Sequence, residues 1–186
     1  MKINQYTHLT FKNPSEITEL YRSLKIDYPK FFKMDGICKL GFLASEIIFK
    51  KIENRFLPRE DVAIISFNRS SSLDIDTQYQ ATIKDNDHYF PSPSLFVYTL
   101  PNIVNGEIAI RNNLFGETFF YLCAQFDEKQ IFNTTKNIFN DKKVNMILVA
   151  WIEFFEEKHE VFMVLVEKEN GNMKFTEKNL KKLYHT

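Results

Sequence analysis

Three stretches of the sequence are apolar over the length of a β-strand. Residues 62–67, VAIISF, form a continuous apolar run, and residues 144–151, VNMILVAW, form another that only Asn145 interrupts. Residues 159–167 are apolar at both sets of alternating positions over most of their length. Strands that are apolar on both sides are typical of a sheet covered by helices on both faces. We therefore predict three buried strands, with a fourth at residues 118–124.

The segments between these strands have helical patterns. Residues 38–49 carry apolar side chains one helical turn apart, which predicts an amphipathic helix that faces a core. Residues 127–139 are predicted to be helical, and Asp127 with Gln130 resembles a capping box. Residues 96–111 also favour helix, but Pro101 removes a backbone donor and is predicted to kink or split it.

The order of these elements is strand, helix, strand, helix, strand, strand. It predicts an α/β fold with a mostly parallel mixed sheet packed with helices. At 186 residues, the chain is long enough for one domain, residues 1–186, with a sizeable core. Asn170-Gly171 indicates a turn, and residues 168–186 are predicted to be a tail or a short terminal helix.

Composition and charge exclude several classes of function. The 24 basic and 24 acidic side chains balance, so no overall field favours nucleic acid. No apolar segment reaches the length of a membrane span, and the first 16 residues lack the apolar part of a secretory signal, so we expect a cytoplasmic protein. The 19 Phe and 8 Tyr reflect either a general compositional bias or a partner surface or apolar pocket.

One segment carries a recognisable motif. Within residues 91–116, PSPSLFVYTLPNIVNGEIAIRNNLFG, the pair Pro101-Asn102 is followed by GEIAIR at residues 106–111 and by Gly116-Glu117. Together with residues 38–46, CKLGFLASE, this segment resembles the N-terminal half of the β-ketoacyl synthases, in the thiolase-like superfamily. The resemblance spans residues 31–167 and implies a thiolase-like N-terminal half-fold.

The resemblance also implies that the catalytic nucleophile has been lost. In the family, a strand follows this motif and ends in a nucleophilic Cys, and counting from Gly116 without a gap places Gln125 there. Decarboxylating synthase domains and chain-length factors also carry Gln at this position. Its amide has no nucleophilic form but donates and accepts hydrogen bonds. The alternative is drift, which leaves a polar residue to satisfy the start of the helix.

The rest of a condensing site has no counterpart. The family's C-terminal half supplies histidines, a lysine and glycine-rich loops, whereas nothing after Glu167 matches that half and the chain has only 5 Gly. We therefore expect a pseudoenzyme rather than a condensing enzyme. Two cysteines without metal-ligand spacing predict reduced thiols, and we expect neither a metal nor a cofactor.

Cys123 and His88 are weaker candidates for chemistry. Cys123 precedes the acidic pair Asp127 and Glu128, which opposes a thiolate, and strand alternation groups it with other apolar side chains. We interpret Cys123 as a buried structural residue, and Cys38 likewise. A Cys–His dyad would need His88 to approach through the fold. The other histidines are expected at the surface.

A half-fold must cover the helical face that the family buries between its two halves. Self-association, a full-length synthase or a rearranged terminus are the candidate covers, and we expect the last 20 residues to be too short for this role. We therefore predict a homodimer or a heterocomplex with a full-length ketoacyl synthase.

The resemblance implies a non-catalytic, chain-length-factor-like accessory subunit. It would pair with a full-length synthase or an acyl carrier protein in fatty acid or polyketide synthesis, including aryl polyene pigments. Two alternatives stay open. One is a small acyl-processing enzyme, a decarboxylase or acyltransferase that uses Gln125, Cys123 or His88. The other is a free-standing acyl-group binder with an aromatic-lined pocket.

Overall fold

A six-stranded sheet with helices on both faces forms the protein, as seen in a computed structural model that describes residues 1–87 and 89–186. The strands are β1 (Lys2–Phe11), β2 (Val62–Asn68), β3 (Thr118–Leu122), β4 (Met146–Phe155), β5 (Lys158–Glu167) and β6 (Met173–Lys174). The helices are α1 (Pro14–Ser23), α2 (Gly36–Phe49), α3 (Leu73–Ala81), α4 (Pro93–Tyr98), α5 (Ile103–Asn112), α6 (Glu128–Ile138) and α7 (Glu177–Tyr184). A short 3₁₀ helix, Pro29–Lys33, precedes α2.

The sheet is mixed, with strand order β3-β2-β4-β5-β1-β6. β2 runs parallel to β3 and β4, and the remaining neighbours are antiparallel. The prediction of an α/β fold with a mixed sheet is confirmed, but the sheet is not mostly parallel, because three of its five strand pairs are antiparallel. The reason is β1, which the sequence did not predict and which inserts between β5 and β6.

On the first face of the sheet, α2 is the central helix. Twelve of its fourteen residues are buried, because it lies on β1, β4 and β5 while α1 and α5 pack against it. The Asp35 side chain accepts a 3.0 Å hydrogen bond from the Cys38 backbone N–H and so caps the helix. Gly41 permits close packing, since a Cβ there would lie 2.4 Å from Val104 of α5.

The split at Pro101 is confirmed, because α4 ends at Tyr98 and α5 begins at Ile103. Asn105 links α5 to the sheet by hydrogen bonds. Its Oδ1 accepts a 2.5 Å hydrogen bond from Ser66 Oγ on β2, and its Nδ2 donates at 2.9 Å to the carbonyl of Phe119 on β3. This buried side chain therefore bonds to two neighbouring strands, and these bonds set the position of α5.

On the second face of the sheet, α6 and α7 form the cover. Ile131 of α6 and Phe175, Leu180 and Leu183 of the terminal segment are buried in one apolar cluster with the strands. The outward positions of α6 are polar: Lys129, Gln130, Asn133, Lys136 and Asn137. The terminal segment thus covers part of the second face of the sheet. The helical face considered in the sequence analysis lies on the first face, where α1 and α5 pack against α2. The homodimer stays a prediction.

The turn and the terminal helix are confirmed. Gly171 has a φ of +139°, and β6 pairs with the start of β1. Thr176 Oγ1 accepts a 3.2 Å hydrogen bond from the Asn179 N–H and caps α7. None of the helices in the described residues combines the length and apolar character needed to cross a membrane.

Candidate functional site

A cavity of about 340 Å³ lies at the carboxyl ends of the parallel strands. Gln125 reaches it from the segment after β3, Arg69 follows β2, and Glu153 belongs to the end of β4. In α/β sheets, ligands bind outside the carboxyl ends of parallel strands, because the connecting loops leave a crevice there. This is the place where sequence reasoning expected the lost nucleophile.

Gln125 is an exposed loop residue and not the cap of a helix. The helix after it begins at Glu128, and Asp127 caps it by accepting a 2.9 Å hydrogen bond from the Gln130 N–H. The predicted cap is thus confirmed at Asp127. Since Asp127 satisfies the helix start, that start gives no structural reason for a polar residue at Gln125.

Glu153 is a buried carboxylate at the floor of the cavity. Its two oxygens accept hydrogen bonds from the backbone N–H groups of Arg69, at 2.9 Å, and Ser70, at 3.2 Å. The carboxylate therefore fixes the turn that follows β2 and compensates its own burial. Sequence reasoning missed it, because nothing near residue 153 indicates that the partner lies about 80 residues earlier in the chain.

An aromatic wall closes one side of the cavity. Tyr184 of α7 stacks on Phe126, with ring centroids 3.8 Å apart, and its hydroxyl donates a 3.1 Å hydrogen bond to Glu160 Oε2. His8 Nε2 lies 2.8 Å from Glu160 Oε1 and its ring stacks on Tyr184. Burial raises the pKa of Glu160, but the contacts with His8 and Tyr184 outweigh it and hold that pKa below its ordinary value.

Cys123 points to the second face of the sheet, with Phe119 and Tyr121, as strand alternation predicted. It is half-buried. Burial raises the pKa of its thiol and the charge of Asp127 raises it further, whereas a hydrogen bond from Gln130 opposes the shift. Cys38 is fully buried, and burial raises its thiol pKa well above the usual value. Both thiols are therefore held in the neutral form, which is a poor nucleophile.

The histidines are placed differently from what the sequence suggested. His88 lies outside the described residues, so the Cys–His dyad stays a prediction. His159 is buried, with its ring 4.6 Å from that of Phe154, so its expected surface position is wrong. The reason is that the tip of the β4–β5 hairpin packs inward against α3 and α2, although the residues around it are charged.

The cavity offers hydrogen bonding, charge and the imidazole of His185. The residues that line it within the described part of the chain include no cysteine, serine or threonine. Lys181 and Glu128 form an ion pair of 3.2 Å at its rim. Within the same residues, no cluster of three or more His, Cys, Asp or Glu side chains is arranged to hold a metal ion. The Gln125 amide can bind a polar group here but supplies no nucleophile.

No protein-family model matches the sequence, and no curated protein matches it. Solved structures do. The ishigamide ketosynthase/chain length factor superposes with a TM-score of 0.71 at 12% identity, over 92% of this chain and 63% of the matched chain. A type II polyketide acyl-carrier protein in complex with its ketosynthase, AntDE:AntF, gives 0.63 at 11% identity, over 90% and 62%. This chain thus spans less than two thirds of those proteins.

A third structure matches over nearly the full length of both chains. It is the ketosynthase ApeO in complex with its chain length factor ApeC from Xenorhabdus doucetiae, with a TM-score of 0.65 at 12% identity. The match covers 99% of this chain and 90% of the matched chain, so the two are similar in length. At these identities the similarity shows the fold alone: this chain has a mixed sheet covered by helices on both faces, as these ketosynthase and chain length factor structures do.

Proposed function

We propose that this chain is a non-catalytic accessory subunit, similar to a chain length factor, that pairs with a full-length ketoacyl synthase in polyketide, aryl polyene or fatty acid synthesis. One observation carries the proposal. Gln125, which the sequence motif aligns with the nucleophile of a synthase, exposes its amide in a cavity whose described lining residues carry no thiol and no hydroxyl other than that of Tyr184. A subunit with this site contributes shape and binding to a complex rather than bond formation.

The open edge of the sheet at β3 is the proposed contact with the synthase. Within the described residues, β3 has a strand neighbour on one side only, β2. An unpaired edge offers backbone donors and acceptors to another chain. Exposed apolar residues lie on β3 and on α5, which contacts it: Leu122 and Ile110. Phe96, Val97 and Leu100 are exposed in α4 and the turn that leads to α5. Such residues are typical of the buried part of a protein interface.

Gly106 leaves open space on α5 that a partner could occupy. It lies in the middle of α5, which contacts β3, and a Cβ built there meets no atom within 4 Å. Glycine inside a helix costs about 1 kcal/mol relative to alanine. No contact within the described residues explains this glycine, whereas close approach of another chain to α5 would.

The experiment is co-purification with the complete ketoacyl synthase encoded nearest to this chain. We expect a stable complex for the natural sequence and at least about tenfold weaker binding for Ile110→Glu and for Gly106→Tyr, because each puts bulk or charge into the contact. Neither substitution disturbs the core, since Ile110 is 67% exposed and Gly106 faces open space.

Tyr6→Glu is the matched control. Tyr6 is a half-exposed aromatic residue on β1, at the other side of the sheet, and its substitution should leave the affinity unchanged. If the natural chain does not bind the synthase, the proposal fails. If it binds but Ile110→Glu and Gly106→Tyr bind equally well, the β3 edge is not the contact.

A second function, acyl-group binding without a protein partner, is favoured by a separate cavity of about 460 Å³. It lies between the start of α2 and the helices α3 and α4, and Phe32, Tyr98 and Phe154 line it. Burial raises the pKa of Asp35 and of Asp74 in its wall. Native mass spectrometry of the purified protein should then detect a retained lipid, and its absence after gentle purification would argue against this function.

A further inference from the structure

A third cavity, of about 320 Å³, is lined by more basic than acidic side chains. It lies where α1, α2 and α5 end, beside the loop that follows α2. Four cations line it, Lys25, Lys50, Arg55 and Arg111, against two acids, Asp27 and Glu46. It belongs to neither of the sites described above, since it shares no lining residue with them.

Two of the cations share one carboxylate. Arg55 Nη2 bonds to Glu46 Oε1, and Arg111 bonds to the same carboxylate through Nε, at 2.9 Å, and Nη2, at 3.4 Å. Glu46 is buried, and the two arginine side chains are 11% and 19% exposed. The cluster thus carries one negative and two positive charges out of water. A buried charge without a counterion is costly, so a second anion would stabilise the cluster.

Arg55 holds an unused donor. Its Nε is buried and has no hydrogen-bond partner in the described residues. A guanidinium N–H loses its bond to water on burial, and the loss is restored only by an acceptor. The cavity beside it is open enough to admit one.

The lysines do not fill that role, because they are donors themselves. Lys25 and Lys50 follow the ends of α1 and α2, and the negative ends of these helices stabilise cations there. Within the described chain, neither ammonium group forms an ion pair. The end of α2 also accounts for part of Arg55, whose Nη1 donates a 3.4 Å hydrogen bond to the carbonyl of Glu46, but the Nε–H of Arg55 has no acceptor in the described residues.

We propose that this cavity binds a small organic oxyanion, through a phosphate or carboxylate group held by the charges of Arg55, Lys25 and Lys50. Ile26, Ile47 and Phe56 form apolar walls for the rest of the molecule. The volume is at the small end of ligand sites, which limits the ligand to a short apolar part. The inference does not depend on the proposed function.

The test is an NMR titration of the arginine Nε–Hε resonances. The chain has only five arginines, so Arg55→Lys is enough to assign the Arg55 resonance. Inorganic phosphate and hexanoate are added separately, with chloride as the reference at equal ionic strength. We expect the Arg55 resonance to shift saturably with at least one of them, while that of the exposed Arg22 does not move. Saturation by phosphate alone identifies a phosphate ester as the ligand class, and saturation by hexanoate identifies a carboxylate.

The double substitution Lys25→Met with Lys50→Met should weaken binding about tenfold or more, because two charge-assisted contacts are lost. Both lysines are exposed, so the fold should be retained. Lys136→Met with Lys178→Met, two exposed lysines elsewhere, is the control and should bind as the natural chain does. Linear shifts without saturation, or equal losses in the two double variants, would overturn the proposal.

Discussion

The two faces of the sheet are covered in different ways. On the first face, α2 lies between the strands and further helices, and nearly all of it is buried. On the second face, α6 and α7 are short and amphipathic, and only one side of each contacts the strands. The first cover belongs to the core of the domain. The second cover consists of α6 and α7, has a polar outer surface, and is called the lid below. The second face of the sheet is therefore closed by α6 together with the terminal helix α7.

The two covers also differ in the surfaces that they leave open to a ligand or a partner. The lid leaves the Gln125 cavity between its two helices and the strand ends, with Tyr184 as a wall. Since the lid is polar outside, it offers little apolar area to a partner. The open β3 edge, at the side of the sheet, offers more.

Removing packing from the first face should have the largest effect. Phe42 of α2 is fully buried and its ring stacks near Tyr28 and Phe31. Phe42→Ala should lower the free energy of unfolding by about 3–5 kcal/mol, since it creates a cavity in a core that cannot collapse around it. Urea denaturation measures this change, and a loss below about 1 kcal/mol would contradict a rigid first cover.

The lid should be the next most sensitive element. Leu180 of α7 is fully buried against the strands, so Leu180→Ala should cost about 2–4 kcal/mol. The exposed Lys182 on the same helix provides the control, and Lys182→Ala should stay within about 0.5 kcal/mol of the natural chain. Equal denaturation curves for the two variants would mean that α7 does not close the face.

A smaller effect is expected at the aromatic wall. Tyr184→Phe keeps the ring on Phe126 but removes the hydroxyl that donates to Glu160. The variant should lose about 1 kcal/mol in thermal or chemical unfolding. An unchanged stability would show that the hydrogen bond is not formed in solution.

The same carboxylate predicts a dependence on pH. The folded-state pKa of Glu160 lies below its ordinary value of 4.5, so its stabilising contribution is complete above that value. It is lost as the pH falls through the lower folded-state pKa, because the protonated group no longer pairs with His8. Glu160→Gln should therefore flatten the fall in stability below pH 4.5, measured by unfolding at several pH values. A parallel fall in both proteins would contradict this role.

Thiol reactivity gives the mildest contrast between the faces. Both cysteines have raised pKa values, but Cys38 is buried beneath the first cover and Cys123 lies half-buried at the edge of the second. At pH 7, iodoacetamide should modify Cys123 slowly and Cys38 more slowly still, as followed by mass spectrometry. If Cys123 were modified as fast as the thiol of glutathione, it would again be a candidate nucleophile.

The sequence predicted the central elements because their signals are local. The apolar runs of β2 and β4, the amphipathic α2 and the break at Pro101 can each be recognised within a short window. The sequence analysis did not predict β1. Apolar and polar residues alternate only weakly in this segment, and it becomes a strand by pairing with β5. At the site, Gln125 followed from the motif. His8, Glu153 and Tyr184 come together from three distant segments, so no local pattern announces them.

The account depends most directly on pairing with a synthase. Native mass spectrometry of the chain co-expressed with its nearest complete ketoacyl synthase measures the composition of any complex. We predict a species with equal numbers of the two chains. A synthase that appears only as its own homodimer, with this chain unbound beside it, would contradict the proposed function.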